Sequence, residues 1–307
     1  MKNFLISVLV FSGLLTSSIL AVFLMADGRS DSYYARFTTP AQHSLIIGTS
    51  RAAQGIQPAV LDTMIYKGTA HHFFNYSFSL FDSPFGPAYL QSIERKLDPR
   101  VTDGIFIVAV DPWMLCAKNE DPNDSLHFWE RNSFMGNTKK VNCNPNIPYL
   151  VESYSEPYIN IIRKRTGAAD LILHKDGWLE VIVSMDSTLV AQRLQAKLED
   201  YNKNYLPVYK FSSVRFSYLK QTISFLQNHG KVYLVRLPAH RKIMEMEDRL
   251  LPGFEQKIEE VAAGFKVDYL SFAAKNADYD YVDGNHLYKA SGKILSHQLA
   301  RWITEKK

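Results

Sequence analysis

Two short segments, far apart in the chain, carry the side chains best suited to covalent chemistry. The first, His43-Ser44-Leu45-Ile46-Ile47-Gly48-Thr49-Ser50-Arg51, is an apolar run ending in a small-residue turn that holds a serine. The second, Asp283-Gly284-Asn285-His286-Leu287, lies just before a helical tail. Together they offer a nucleophile (Ser50), a base (His286) and an orienting carboxylate (Asp283), the three parts of a serine esterase or acyl transferase. A tight turn at Gly48-Thr49-Ser50-Arg51 into a helix exposes the serine and turns free backbone N–H groups toward whatever it attacks. In Asp283-x-x-His286 the carboxylate shares a loop with the imidazole and can fix its tautomer. Taken singly, each segment also reads as something plainer: a serine N-cap, and a capped turn with a surface histidine. A phosphate-binding loop fits less well, because its glycine spacing and its lysine are missing.

These segments need a frame, and the apolar pattern supplies one. Residues 44–48 form a continuous apolar strand, 58–66 a helix with Val60, Leu61, Met64 and Ile65 on one side, and 71–75 a second strand. A helix over 86–97 leads to Gly-Ile-Phe-Ile-Val-Ala-Val at 104–110, a strand apolar on both faces. Residues 112–205 break this rhythm with Asn, Pro and aromatics. They read as an insertion or lid, with helical pieces near 148–165 and 187–201. The alternation then resumes: helix 212–228, Gly230 as its stop, strand 231–237, a helical stretch 241–264 broken at Pro252-Gly253, strand 266–270 and a last helix 289–306. Buried strands separated by helices predict a parallel sheet covered on both faces, with ligands beyond the carboxyl ends of the strands, where Ser50 falls.

At 307 residues the chain can bury a full core. Its 35 basic and 31 acidic side chains give a net charge of +4 without a dense basic block, which argues against nucleic acid. Lys2 precedes an apolar stretch over 4–26, about 23 residues and long enough to span a bilayer at 1.5 Å per residue. No good small-x-small cleavage site follows, so the reading favours an uncleaved single-pass anchor over a signal peptide. Lys2 would stay inside and the rest would be exported to a periplasmic or extracellular space, past a linker over 27–42. Cys116 and Cys143 suit that location. Paired, they would stabilise the loop they close by roughly 3 kcal/mol; unpaired, they are two thiols. Neither has a histidine or second cysteine at ligand spacing, and His71-His72 reads as packing rather than a metal pair, so no metal or cofactor is expected.

The two end segments resemble the nucleophile and terminal blocks of the SGNH (GDSL-like) hydrolase superfamily. Between them, Asn75-Tyr76-Ser77-Phe78-Ser79-Leu80 is similar to that family's second block, and Val108-Ala109-Val110-Asp111 stands where the third belongs. The resemblance spans most of residues 43–300. It implies a three-layer flavodoxin-like fold with Ser50 as nucleophile, His286 as general base and Asp283 as its orienter. The chain departs from the pattern where the oxyanion should be held. Leu80 replaces a glycine whose N–H lines that hole, and Val110 replaces an asparagine whose side chain completes it. One lost donor costs roughly 2.7–4 kcal/mol of transition-state stabilisation. Asn75, Arg51 or a lid residue are the available substitutes.

Three more residues face the expected crevice. Asp111 and Trp113 follow the third strand, where the indole could stack on a sugar ring or the pair could simply cap the strand. Arg236 closes the fourth strand and could hold an anion or an ordinary salt bridge. The expected activity is hydrolysis or transfer of acyl (acetyl) esters of an envelope glycan, or of a small acyl ester. The rival is a catalytically degenerate protein of the same fold that binds such a glycan or a multi-pass membrane acyltransferase, favoured by Leu80 and Val110.

Overall fold

In a computed structural model, which describes residues 1–167 and 170–306, five parallel strands form one sheet. They are β1 (Ser44–Ile47), β2 (Phe73–Asn75), β3 (Gly104–Ala109), β4 (Gly230–Arg236) and β5 (Asp268–Ser271), in the order 2-1-3-4-5. The register runs through Leu45↔Phe74, Leu45↔Phe106, Val108↔Leu234 and Leu234↔Tyr269. The order reverses between β1 and β3. That switch point opens a crevice beyond the carboxyl ends of the strands.

Successive strand residues point to opposite faces, so the continuous apolar runs feed two cores. Leu45, Ile47, Phe106 and Val108 pack beneath helices α4 (Pro87–Lys96), α6 (Ser213–Gln227) and α8 (Phe254–Phe265) through Ile93, Ile223 and Ile258. Ile46, Ile105, Ile107 and Val235 pack on the other side against α2 (Ser50–Gly55), α3 (Pro58–Ile65) and α9 (Lys289–Lys306) through Ala52, Leu61 and Leu299. This is the three-layer α/β arrangement read from the sequence.

A helix α1 (Lys2–Leu24) precedes the sheet. It holds the one span among the described residues long and apolar enough to cross a membrane, with a mean hydropathy of 2.3. Its last turn touches the domain: Phe23 meets Tyr158 edge-on at 5.0 Å, and Arg165 donates to the Met25 carbonyl at 2.8 Å. Residues 27–42, expected to be a linker, are instead part of the packing. Tyr34, Arg36 and Phe37 are fully buried, and Arg36 donates to the carbonyls of Asn75 and Gly177. Tyr34 and Phe37 fill the core beside β2.

Between β3 and α6 the chain leaves the sheet. The expected helical piece near 148–165 is two short helices, Ile147–Glu152 and Ile159–Thr166, because Pro157 cannot continue the first. The rest is more mixed than the helical insertion expected. Cys116–Ala117 pairs antiparallel with Lys210–Phe211, and Leu171–Leu173 with Leu179–Val181. Its longest helix, α5 (Ser187–Asp200), runs on into a wider π-turn at Tyr201–Tyr205 and reaches over the crevice. α7 (Arg241–Leu250), after β4, shares an apolar cluster with Trp113 through Ile243 and Met244.

Candidate active site

Ser50 is the first residue of α2, immediately past β1. The turn is tight because Gly48 lies against the sheet: a Cβ there would stand 2.8 Å from that of Ala109 and 2.9 Å from that of Ala52. Thr49, at the N-cap, does not cap the helix. Its hydroxyl donates instead to Asp111 Oδ2 at 3.0 Å, which ties the ends of β1 and β3 together. The first turn of α2 therefore carries no side-chain cap.

The loop before α9 brings the other two groups. Gly284, at φ +82°, lets the chain fold back so that Asp283 Oδ1 accepts from the backbone N–H of both Asn285 and His286 at 2.9 Å. An antiparallel bridge between Tyr281 and Leu287 closes the loop. Asp283 Oδ2 then accepts from His286 Nδ1 at 2.9 Å, leaving Nε2 as the acceptor, and Nε2 lies 2.8 Å from Ser50 Oγ. Burial works against the charge on Asp283, but the imidazole, its hydrogen bonds and Lys197 hold the carboxyl well below its ordinary range. Lys197 comes from α5, with Nζ 3.5 Å from Asp283 Oδ2.

A small cavity of about 110 Å³ opens at Ser50. Leu80, Phe81, Trp113, Tyr201 and Tyr205 give it apolar walls, and Arg51, Asp111, Asn285 and His286 polar ones. Arg51 is buried; its Nε and Nη2 donate to Asn285 Oδ1 at 2.9 and 2.6 Å, and Nη2 also meets Glu247 Oε1 at 2.6 Å.

Several residues read from the sequence as binding groups are otherwise engaged. Asn75 does not reach the cavity: its Nδ2 donates to the carbonyls of Ala52 and Ile56 at 2.8 and 2.9 Å, securing α2. Arg236 is buried between Glu247 at 3.0 Å and Glu255 at 2.8 Å, so it is the salt bridge and not an anion ligand. Trp113 is 2% exposed, boxed by Tyr201, Tyr205 and Tyr209, with Nε1 donating to Glu247; no face is left for a sugar. Asp111 lines the cavity while capping the turn after β3 through the Met114 N–H. Cys116 and Cys143 are free thiols rather than a disulfide. Cys116 is buried near Arg215, whereas Cys143 lies by Tyr34 and Lys96.

Other residues at the site had no assigned role in the sequence. Asn285 sits inside the Asp-x-x-His segment, which was the one signal for it. Lys197, Tyr201 and Tyr205 arrive from the insertion, and Glu247 from α7; nothing in their spacing connects them to Ser50. At the opposite end of the sheet, ligand atoms of His43, His71 and Asp103 lie within 4.8 Å of one another and could hold a metal ion, away from this cavity.

No protein-family model matches the chain, and no curated protein does. Among solved structures it is similar to an inhibitor-bound aryl esterase of M. smegmatis, at 14% identity and a TM-score of 0.39, covering 86% of this chain and 99% of that one. It is also similar to a putative acylhydrolase of Bacteroides fragilis (11%, TM-score 0.36, 91% and 95% covered) and a carbohydrate acetylesterase of Sinorhizobium meliloti (14%, TM-score 0.35, 87% and 100% covered). At these TM-scores the likenesses carry no argument about activity. That rests on the geometry around Ser50.

Proposed function

We propose that this protein is a serine acyl-ester enzyme of SGNH type in which Ser50 attacks an ester carbonyl, His286 takes its proton and Asp283 holds the imidazole in place. The observation that carries the reading is the unbroken relay from Ser50 Oγ to His286 Nε2 at 2.8 Å and from Nδ1 to Asp283 at 2.9 Å. Ser50 and Leu80 both line the cavity, and their backbone N–H groups are the donors we assign to the carbonyl oxygen. The acyl-enzyme then gives its group to water or to a sugar hydroxyl.

A cavity of about 110 Å³ suits a small acyl group such as acetyl. Any larger alcohol must lie outside it, over the rim formed by Phe81 and Tyr205, whose rings are 5.8 Å apart. The exposed Phe81 ring at that rim favours a sugar, and α1 favours a site of action at a membrane. An acetylated envelope glycan, met by an exported domain, is therefore the substrate class we infer.

The test is turnover of p-nitrophenyl acetate by the detergent-solubilised chain, with labelling by a fluorophosphonate. Wild type should turn over and label, and Ser50→Ala should do neither. Equal turnover in Ser50→Ala would reject the nucleophile.

A further inference from the structure

The oxyanion site lacks the side-chain amide that the third block should bring, since Val110 is apolar, 2% exposed, and its N–H is spent on Val235. We propose that Asn285, from the other end of the chain, supplies that amide, and that Arg51 aims it. The inference rests on the serine-enzyme reading above.

Orientation comes first. Arg51 Nε and Nη2 are both donors, and both converge on one atom of Asn285 at 2.9 and 2.6 Å. Only the amide oxygen can accept them, so the NH₂ must face the opposite way. The opposite way is the cavity, where Asn285 Nδ2 lies 3.2 Å from His286 Nε2, the same nitrogen that accepts from Ser50. Arg51 is held in turn by Glu247 and cannot turn away, so a flipped amide would set its NH₂ against two guanidinium donors.

The contact with Nε2 makes the donor conditional. In the resting site one imidazole lone pair is shared by two donors, Ser50 Oγ–H and Asn285 Nδ2–H. Attack forms the bond from Oγ to the carbonyl carbon and moves the π pair onto the carbonyl oxygen, while the Oγ proton goes to Nε2. Nε2 is then a donor and can no longer accept. The Asn285 N–H loses its partner at the moment an anionic oxygen appears beside it. Collapse returns the pair to the carbonyl, breaks the bond to the leaving oxygen, and passes the Nε2 proton to that oxygen. An interaction absent in the resting site and made only in the transition state lowers the barrier without tightening substrate binding.

Asn285→Asp tests this, because it keeps an oxygen for Arg51 and removes the donor. Expected is a loss of about a hundred- to a thousand-fold in kcat for p-nitrophenyl acetate with KM little changed. Inhibition by a small alkylboronic acid, whose adduct with Ser50 mimics the tetrahedral species, should weaken by a similar factor. A merely structural role would not move that inhibition constant against KM. Should the aspartate variant not fold, Asn285→Ala carries the same expectation. A folded variant with kcat and boronate affinity within about threefold of wild type overturns the inference and leaves the serine-enzyme reading standing. A wild-type protein that neither turns over ester nor labels at Ser50 overturns both.

Discussion

The Arg51 guanidinium and the Glu247 carboxylate meet at 2.6 Å with side-chain exposures of 5% and 0%. One partner follows the nucleophile on α2 and the other lies on α7, so a single ion pair joins the nucleophile's helix to α7. Glu247 also takes Arg236 at 3.0 Å and the Trp113 indole N–H at 3.0 Å. One buried carboxylate thus meets two buried cations, sharing the second with Glu255.

Removing it should be costly. Glu247→Ala strands Arg51 and leaves Arg236 to Glu255 alone, and breaking a buried pair by deleting one partner typically costs about 3–5 kcal/mol. Chemical denaturation of the detergent-solubilised chain should show a loss of that size. A loss under about 1 kcal/mol, the worth of an exposed pair, would mean that water reaches these groups.

Asn75 gives a contrasting case. Its amide serves two carbonyls at the end of α2, so Asn75→Ala should destabilise by about 2–4 kcal/mol through stranded buried acceptors. Turnover per fluorophosphonate-titrated site should stay within about threefold, far from the hundredfold loss of an oxyanion donor. A large fall in titrated kcat would return Asn75 to the oxyanion site.

The parallel sheet and its two covering layers were legible because parallel strands buried on both faces leave continuous apolar runs such as Ile105–Ile107. Ser50, Asp283 and His286 were legible as candidates because each sits in a turn at an element's edge, and the structure brings them into one hydrogen-bonded line. The partners of the remaining polar groups were not. A buried arginine and an anion-binding arginine look alike in sequence, and only the positions of Glu247 and Glu255 decide that Arg236 is the first kind. Trp113 failed as a sugar platform for a related reason: Tyr201, Tyr205 and Tyr209, far along the chain, close around it. Burial of residues 30–37 was hidden because their aromatics alternate with charges, Asp31 and Arg36, that find partners only in three dimensions.

Asp283 predicts a pH-dependent stability. Burial opposes its charge, yet His286 and Lys197 hold its carboxyl well below the ordinary 3.8. The unfolded chain therefore binds this proton first as pH falls. The stabilisation is complete above the unfolded pKa and drains away as pH drops toward the folded value. Against Asp283→Asn, wild type should be more stable by about 1.5–3 kcal/mol at pH 7, the worth of hydrogen bonds to a charged group. That gap should narrow only below about pH 4. Urea denaturation of both proteins at several pH values checks it, and a gap that widens in acid would contradict the assignment.

The cavity walls predict acyl-chain selectivity. Tyr205 is part of the cavity wall, braced at 5.6 Å by a stacked Tyr209. The cavity of about 110 Å³ takes an acetyl group, and lengthening the acyl chain brings its end toward the ring walls, Tyr205 among them. Tyr205→Ala removes that ring without touching Ser50, His286, Asp283 or Arg51. A pocket discriminates a methylene by about 1–3 kcal/mol, so the ratio of kcat/KM for p-nitrophenyl butyrate over acetate should rise at least about tenfold. Parallel rate measurements on the two esters decide it. An unchanged ratio would place the acyl chain elsewhere, along the Phe81 rim, and would make this cavity the site of the alcohol.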